Sequence, residues 1–469
     1  MSIRSKKDKL LNRIREGAHL TGRQQFQLAA TLSYPAMLAQ LTVILMEYID
    51  ASMVGSLGAA ASASIGIVST TIWLFGGLCS AASKGFYVQV AHRIGAGNTA
   101  EARNVLRQSL VSCLQFSLAL ALIGVAISPY LPIWLGGGED IQRDASRYFM
   151  VFCMCAPFMQ INSLCSGMLR CSGDMHTPSM INILMCVLDV IFNWLLIFPS
   201  HTVLGLHVPG AGLGVLGAVL GTGLSFICGT FLMIYFVVFR SRELNLLQDT
   251  GRFWPTADTL RRSLRISLPM GVEHFIMCSA QIMSTVIVAP LGTVAIAANS
   301  FGITIESLCY MPGYGISDAA TTLVGQSLGA KRKALARSFG RITLGMGILI
   351  MSVMGAVMYF TSPALMTVMT PDVAVQELAV KCLRIEAFAE PWFAANIVAY
   401  GIFVGAGDTL MPCGMNLGSI WAVRIPLAAV LVGTMGLQGA WIAMATDLTF
   451  RGIIFLARFH GKSWMRRMV

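Results

Sequence analysis

The chain has 469 residues, of which 55% are hydrophobic and only 12% charged, roughly half the charged share of an ordinary soluble domain. So few charges cannot cover a water-soluble protein of this length, which excludes a soluble enzyme, a disordered chain and a disulfide-stapled secreted domain. The excess of 33 Lys+Arg over 22 Asp+Glu, a formal +11, reads as cytoplasmic loops facing anionic lipid. With no aromatic-interleaved basic segment, no nucleic-acid partner is expected.

Residues 1–26 are polar and basic (Arg4, Lys6, Lys7, Lys9, Arg13, Arg15, Arg23) and lack the apolar core of a signal peptide. They read as a cytoplasmic, amphipathic surface helix. Apolar runs of about 20 residues, the length a bilayer core requires, then predict twelve spans. Their limits are 30–54, 62–89, 106–129, 147–169, 178–199, 212–238, 264–289, 299–327, 339–361, 379–402, 412–434 and 438–459. The loops sort by charge. Arg93, Arg103 and Arg107 follow span 2; Arg240, Arg242, Arg252, Arg261 and Arg262 lie between spans 6 and 7; Lys331, Arg332, Lys333 and Arg337 follow span 8. The alternate loops 55–61, 200–211, 290–298 and 435–437 hold no Lys or Arg. The positive-inside rule therefore places both termini in the cytoplasm of a multi-pass protein of the inner (cytoplasmic) membrane. The lipid bilayer is its expected partner. The twelve cysteines lie mostly inside apolar runs, with no CxxC pair, and read as small hydrophobes rather than a zinc or disulfide framework.

The two halves align at one offset of 234 residues. Pro35 matches Pro269, Gly95-Ala96 matches Gly329-Ala330, Pro157 matches Pro391, Asn162 matches Asn396, and Gly173-Asp174 matches Gly407-Asp408. A loop near 200–211 adds about twelve residues to the first copy. Such a run in one register marks a duplication. The organisation expected is a cytoplasmic basic segment (1–26), a first six-helix lobe (27–240), a cytoplasmic linker (241–262), a second six-helix lobe (263–460) and a cytoplasmic tail (461–469). Each copy has an even number of spans, so both enter the membrane the same way, related by a pseudo-two-fold axis along the membrane normal. Two such bundles leave a central cleft for alternating access.

Span 1 ends in Asp50-x-x-Met53-Val54-Gly55; the loop after span 4 reads Leu169-Arg170-Cys171-Ser172-Gly173-Asp174. Span 8 holds Ile305-Glu306-Ser307-Leu308 and ends in Val324-Gly325-Gln326-Ser327-Leu328-Gly329-Ala330, and span 10 exits through Gly405-Ala406-Gly407-Asp408. Together, over residues 30–459, these stretches resemble the multidrug and toxic compound extrusion (MATE) family. The resemblance implies an all-α, twelve-helix antiporter of two pseudo-symmetric six-helix bundles, not an enzyme. It would export organic, cationic or amphipathic compounds in exchange for Na⁺ or H⁺, with no other cofactor, and it reads as a monomer. A flippase for a lipid-linked or polysaccharide precursor is the alternative; that reading calls for Arg and Lys to meet phosphate, and the spans offer mainly acids.

A charge inside a span needs a partner or a function. Asp50 lies about four residues, roughly 6 Å, from the end of span 1. It matches the family's coupling-ion aspartate, and its repeat mate is Ser284. Asp189 and Asn193 are four apart and share one face of span 5; the family usually shows the reverse order, Asn then Asp. Thr222 in span 6 matches a family position near the ion. These four form the expected coupling-ion or proton site, with Asp50, Asp189 and Asn193 as Na⁺ ligands. Hard oxygens suit Na⁺, and a buried carboxyl suits H⁺ equally; otherwise the acids merely bond neighbouring helices. Glu273, Glu306, Glu386, Asp318, Met46 and Gln281 are candidates for the substrate cleft, with packing or salt bridging as their other reading. Asp447 and Arg451, four apart, predict a local ion pair. Gly95-Ala96 and Gly329-Ala330 lack the Gly-Lys-Ser/Thr of a P-loop and are expected to end helices, in left-handed geometry.

Overall fold

A computed structural model describes residues 3–203, 206–461 and 463–466. Sixteen α-helices account for nearly all of it. They are α1 (Ile3–Arg15), α2 (Gly22–Gly55), α3 (Ala59–Gly95), α4 (Thr99–Ile127), α5 (Leu131–Trp134), α6 (Glu139–Cys171), α7 (His176–Ile197), α8 (Val215–Tyr235), α9 (Ala257–Val288), α10 (Thr293–Gly329), α11 (Lys333–Met369), α12 (Val373–Ala387), α13 (Glu390–Gly405), α14 (Leu410–Ser419), α15 (Ile425–Met435) and α16 (Leu437–His460). Helices α8 and α14 run on through π-helical turns, Phe236–Arg240 and Ile420–Arg424, the second joining α14 to α15. Among the described residues, eleven helices are long and apolar enough to cross a membrane, and α12 with α13, bent by 58° at their junction, makes a twelfth, broken span.

Large apolar side chains stand on the outside, as a lipid-facing surface requires: Val368 is 83% exposed, Phe360 78% and Leu122 72%. Several helices overrun the apolar windows. Helix α3 has 37 residues, about 55 Å at 1.5 Å per residue, against a hydrocarbon core of about 30 Å. Hydropathy marks only the part of a helix that meets lipid. The extra loop of the first repeat is a two-stranded antiparallel hairpin, β1 (Pro199–Val203) with β2 (Leu206–Ala211).

The chain divides into two compact units. One holds residues 1–41, 91–97 and 272–469, the other 42–90 and 98–271. Their boundary passes within α2, α3 and α9: the first-repeat unit keeps the start of α9, and the second-repeat unit the start of α2 and the end of α3. The second-repeat unit packs Ile316, Val324, Ala399, Phe403 and Phe455 into one core and Ala298, Met358, Cys382 and Trp441 into another. The first-repeat unit packs Val68, Phe75, Leu120, Phe149 and Cys153. All twelve cysteines are free thiols.

Helix α1 turns Leu10, Leu11 and Ile14 inward, and Arg332 Nη1 donates to the carbonyls of Arg13 and Ile14 at 3.1 and 3.4 Å, meeting carbonyls left open at its C-terminus. Helices α3 and α10 end at Gly95 and Gly329, as expected, but the left-handed residues come two positions later, at Gly97 (φ 77°) and Lys331 (φ 58°). The glycines at the helix ends serve packing instead. A β-carbon on Gly95 would strike the Gln326 backbone, and one on Gly329 the His92 carbonyl.

The segment between the repeats is clasped to the start of α4. Arg103 Nε donates to Asp249 Oδ2, and Arg107 Nη2 to Asp249 Oδ1, both at 2.7 Å. Arg107 Nη2 also donates to the carbonyls of Leu246 and Asp249. The hydrogen bond from Arg107 and then that from Arg103 hold the Asp249 carboxyl below the usual carboxylate range. A carboxyl that titrates lower folded than unfolded stabilises above its unfolded pKa, and that contribution is lost as pH falls through the folded value. Limited proteolysis should therefore cut the 241–256 segment faster in Asp249→Asn than in the parent at neutral pH, and the difference should vanish in acid.

Candidate functional site

Four expected residues meet inside the first-repeat unit. Asp50 sits in the last two turns of α2, and Asp189 and Asn193 lie one turn apart on α7, both fully buried. The Asn193 side-chain amide is the bridge: Nδ2 donates to Asp50 Oδ1 at 2.8 Å and to Asp189 Oδ2 at 3.1 Å. One amide thus holds the two carboxyl groups side by side. Two like charges held this close repel, which disfavours the doubly ionised pair. From α8, Thr222 stands beside Asp189, and Ser225 Oγ lies 3.5 Å from Asp189 Oδ1. Asn193 Oδ1 is buried without a partner, a free acceptor beside the acids. The order Asp189 then Asn193 thus puts the amide nearer the end of the helix, where it spans both acids.

The sequence reading missed Ser225, although it follows Thr222 by three residues and so shares its face of α8. Gly221 was also missed. A β-carbon there would collide with Asn193 Oδ1 and press on its backbone nitrogen, so glycine is what lets α8 close on α7. Glu47, exposed, stands one turn before Asp50 on the same helix.

The same unit holds a cavity of about 170 Å³ lined by Phe75, Cys79, Phe152, Met159, Asn162 and Phe226, among others. Asn162 Oδ1 is buried there without a partner. Phe226 follows Ser225 directly, so neighbouring residues of α8 serve the acid site and the cavity.

The remaining candidates are spread more widely. Met46 lies half-buried one turn before Asp50. In the second-repeat unit, Glu273 is buried and held at both oxygens: the Tyr400 hydroxyl donates to Oε2 at 2.6 Å and Asn416 Nδ2 to Oε1 at 2.7 Å. Asn396 Nδ2 donates in turn to Asn416 Oδ1 at 3.0 Å. Tyr400 and Asn416 were not among the residues expected here. Glu306 and Glu386 are buried, Asp318 is half-buried and Gln281 exposed. Asp447 and Arg451 form the expected ion pair, and Ser419 Oγ donates to the same carboxylate.

A family model described as MatE matches residues 35–195 and again 269–430. The chain belongs to the MATE family. The two matched segments begin at Pro35 and Pro269, the register of the internal repeat. The MATE chain is 28% identical over 440 residues to a probable multidrug resistance protein NorM of Thermotoga maritima, covering 93% of each. It is 25% identical to another, of Idiomarina loihiensis, covering 92% of this chain and 94% of that one. Its fold matches an outward-facing multidrug resistance MATE family transporter (TM-score 0.86, 20% identity, 95% and 97% of the chains). It also matches a MOP superfamily transporter from Pyrococcus furiosus (TM-score 0.87, 18% identity, 98% and 99%). The family is one of transporters, not enzymes.

Replacing Gly221 by Ala should push Asn193 off the two acids and cost about 1–3 kcal/mol through overpacking. A lower melting temperature of the purified protein, together with weaker protection of that temperature by Na⁺ or low pH, is the expected outcome.

Proposed function

We propose that this protein is a secondary active antiporter that exports organic, cationic or amphipathic compounds in exchange for Na⁺ or H⁺. The observation that carries this reading is the bridging of Asp50 and Asp189 by the single Asn193 amide. Two acids whose joint ionisation is disfavoured, one of them half-buried, form a site that gains and loses a cation. The family membership and the printed names of the relatives support the export of drugs.

The donor set fits a small hard cation. The Asp50 and Asp189 carboxylates, the free Asn193 Oδ1 and the Thr222 hydroxyl are all oxygens, and these residues would hold Na⁺. A proton fits the same pair by removing one of the two like charges. Either ligand removes net negative charge between α2 and α7. It therefore favours whichever arrangement brings these helices together, and it leaves when they part. An ion gradient then biases the equilibrium between conformations, which is all that coupling requires.

For substrate, the aromatic and sulfur-lined cavity suits a flat apolar body, and the Asn162 oxygen suits a single N–H or O–H donor. Glu273, Glu306, Glu386, Asp318, Met46 and Gln281 are the residues proposed to attract or contact it. The Lys- and Arg-bearing loops would face the cytoplasm, with both termini, in the cytoplasmic membrane.

Purified protein in vesicles should export a cationic dye when a Na⁺ or pH gradient is imposed, and the gradient that works identifies the ion. Asp50→Asn should reach the membrane at normal levels and lose at least about tenfold in gradient-driven export. Unchanged export by that variant removes Asp50 from the mechanism.

A further inference from the structure

The tenth span is broken where the fourth is continuous. Pro157 lies inside the uninterrupted helix α6. Its repeat mate Pro391 stands in the first turn of α13, after a 58° bend at residues 388–389. An acid flanks the break on each side: Glu386 in the last turn of α12 and Glu390 at the start of α13. Both are fully buried, and none of their four carboxyl oxygens has a hydrogen-bond partner. At the offset of 234, their mates are Phe152 and Ala156, two walls of the first-repeat cavity. The acids therefore belong to one copy only.

The charges around them are Glu306 on α10, Arg424 in the π-helical turn after α14, and Asp447 and Arg451 on α16. Asp447 is paired with Arg451. Arg424 acts on both Glu306 and Glu386. That leaves one arginine not already paired against three glutamates, Glu306, Glu386 and Glu390, with Glu386 and Glu390 each in the field of Glu306. Helix α11 closes the outer side of the break: a β-carbon on Gly355 would press on the Ala387 carbonyl and on Glu390 Cβ and Cγ. Among the described residues, no three acids, thiols or imidazoles converge as a metal site. Carboxylates in excess of the countercharge in such surroundings are neutralised by protons.

We propose that Glu386 and Glu390, on either side of the break in the tenth span, are a proton-carrying pair that titrates during the transport cycle. Each takes up one H⁺ on a carboxylate oxygen and returns it, so the charge at the bend changes by up to two. Bend geometry and proton count are linked through that change. The pair deepens the antiport reading, on which it rests, by adding a proton site remote in sequence from Asp50 and Asp189. Broken spans with polar groups at the half-helix ends are a recurrent way to place ion sites in transporters.

The wild-type protein gives the first test. Infrared difference spectra in lipid, with ¹³C-carboxyl glutamate to assign bands, should show protonated glutamate at neutral pH that loses its proton when a substrate gradient is imposed. The band should shrink in Glu386→Gln and in Glu390→Gln, which mimic the protonated acid in shape and charge, and persist in Asp50→Asn. Export driven by a pH gradient should fall about tenfold in each Gln variant. Absence of a protonated glutamate in the wild type overturns the pair, as does full pH-driven export by both Gln variants or wild-type export that answers only to Na⁺. Wild-type vesicles that export under neither gradient overturn the antiport reading, and the pair as carriers with it.

Discussion

An ionised side chain in a hydrocarbon-depth helix must be neutralised by an opposite charge, a bound cation or a proton. That constraint sorts the buried charges of this protein. Asp447 takes Arg451, and Asp408 takes Arg458. Glu273 is satisfied by neutral donors, Tyr400 and Asn416. Asp50 and Asp189 are bridged by one amide. No carboxyl oxygen of Glu386 or Glu390 has a hydrogen-bond partner. Fixed partners make structural pairs. Acids without fixed partners are where the proposed coupling chemistry sits.

The duplication explains why such sites are unequal. Both copies reuse the helix-ending glycines and the same prolines, because those features serve backbone geometry. The polar side chains diverge: Asp50 faces Ser284 in the alignment, and Glu386 and Glu390 face Phe152 and Ala156. One scaffold thus carries an acid pair beside an aromatic cavity in one copy, and an acid-flanked helix break in the other. Small residues make both possible. Gly221 brings α8 onto Asn193, and Gly355 brings α11 onto the bend.

Much of this was legible from residues alone. Apolar length marked every span, since a bilayer imposes one length on all of them, and the 234-residue register exposed the two copies. Asp189 and Asn193 could be placed on one face because a helix fixes that spacing. The break in span ten was not legible. Pro157 and Pro391 occupy equivalent positions, yet only one interrupts its helix, so the outcome depends on what packs around each proline. The left-handed turn residues were misplaced by two positions for a similar reason: a glycine at a helix end serves close approach as readily as a positive φ.

The sequence by itself determined that this is a twelve-span, duplicated membrane protein with acids in its spans, because composition and periodicity answer to the solvent and to helix geometry. Only the tertiary structure decided which acids have partners. Asn193 bridging two carboxylates, Tyr400 reaching Glu273, and Glu386 and Glu390 standing without hydrogen-bond partners are outcomes set by residues far apart in the chain. Partner distance depends on how helices pack, and no local pattern of residues encodes that.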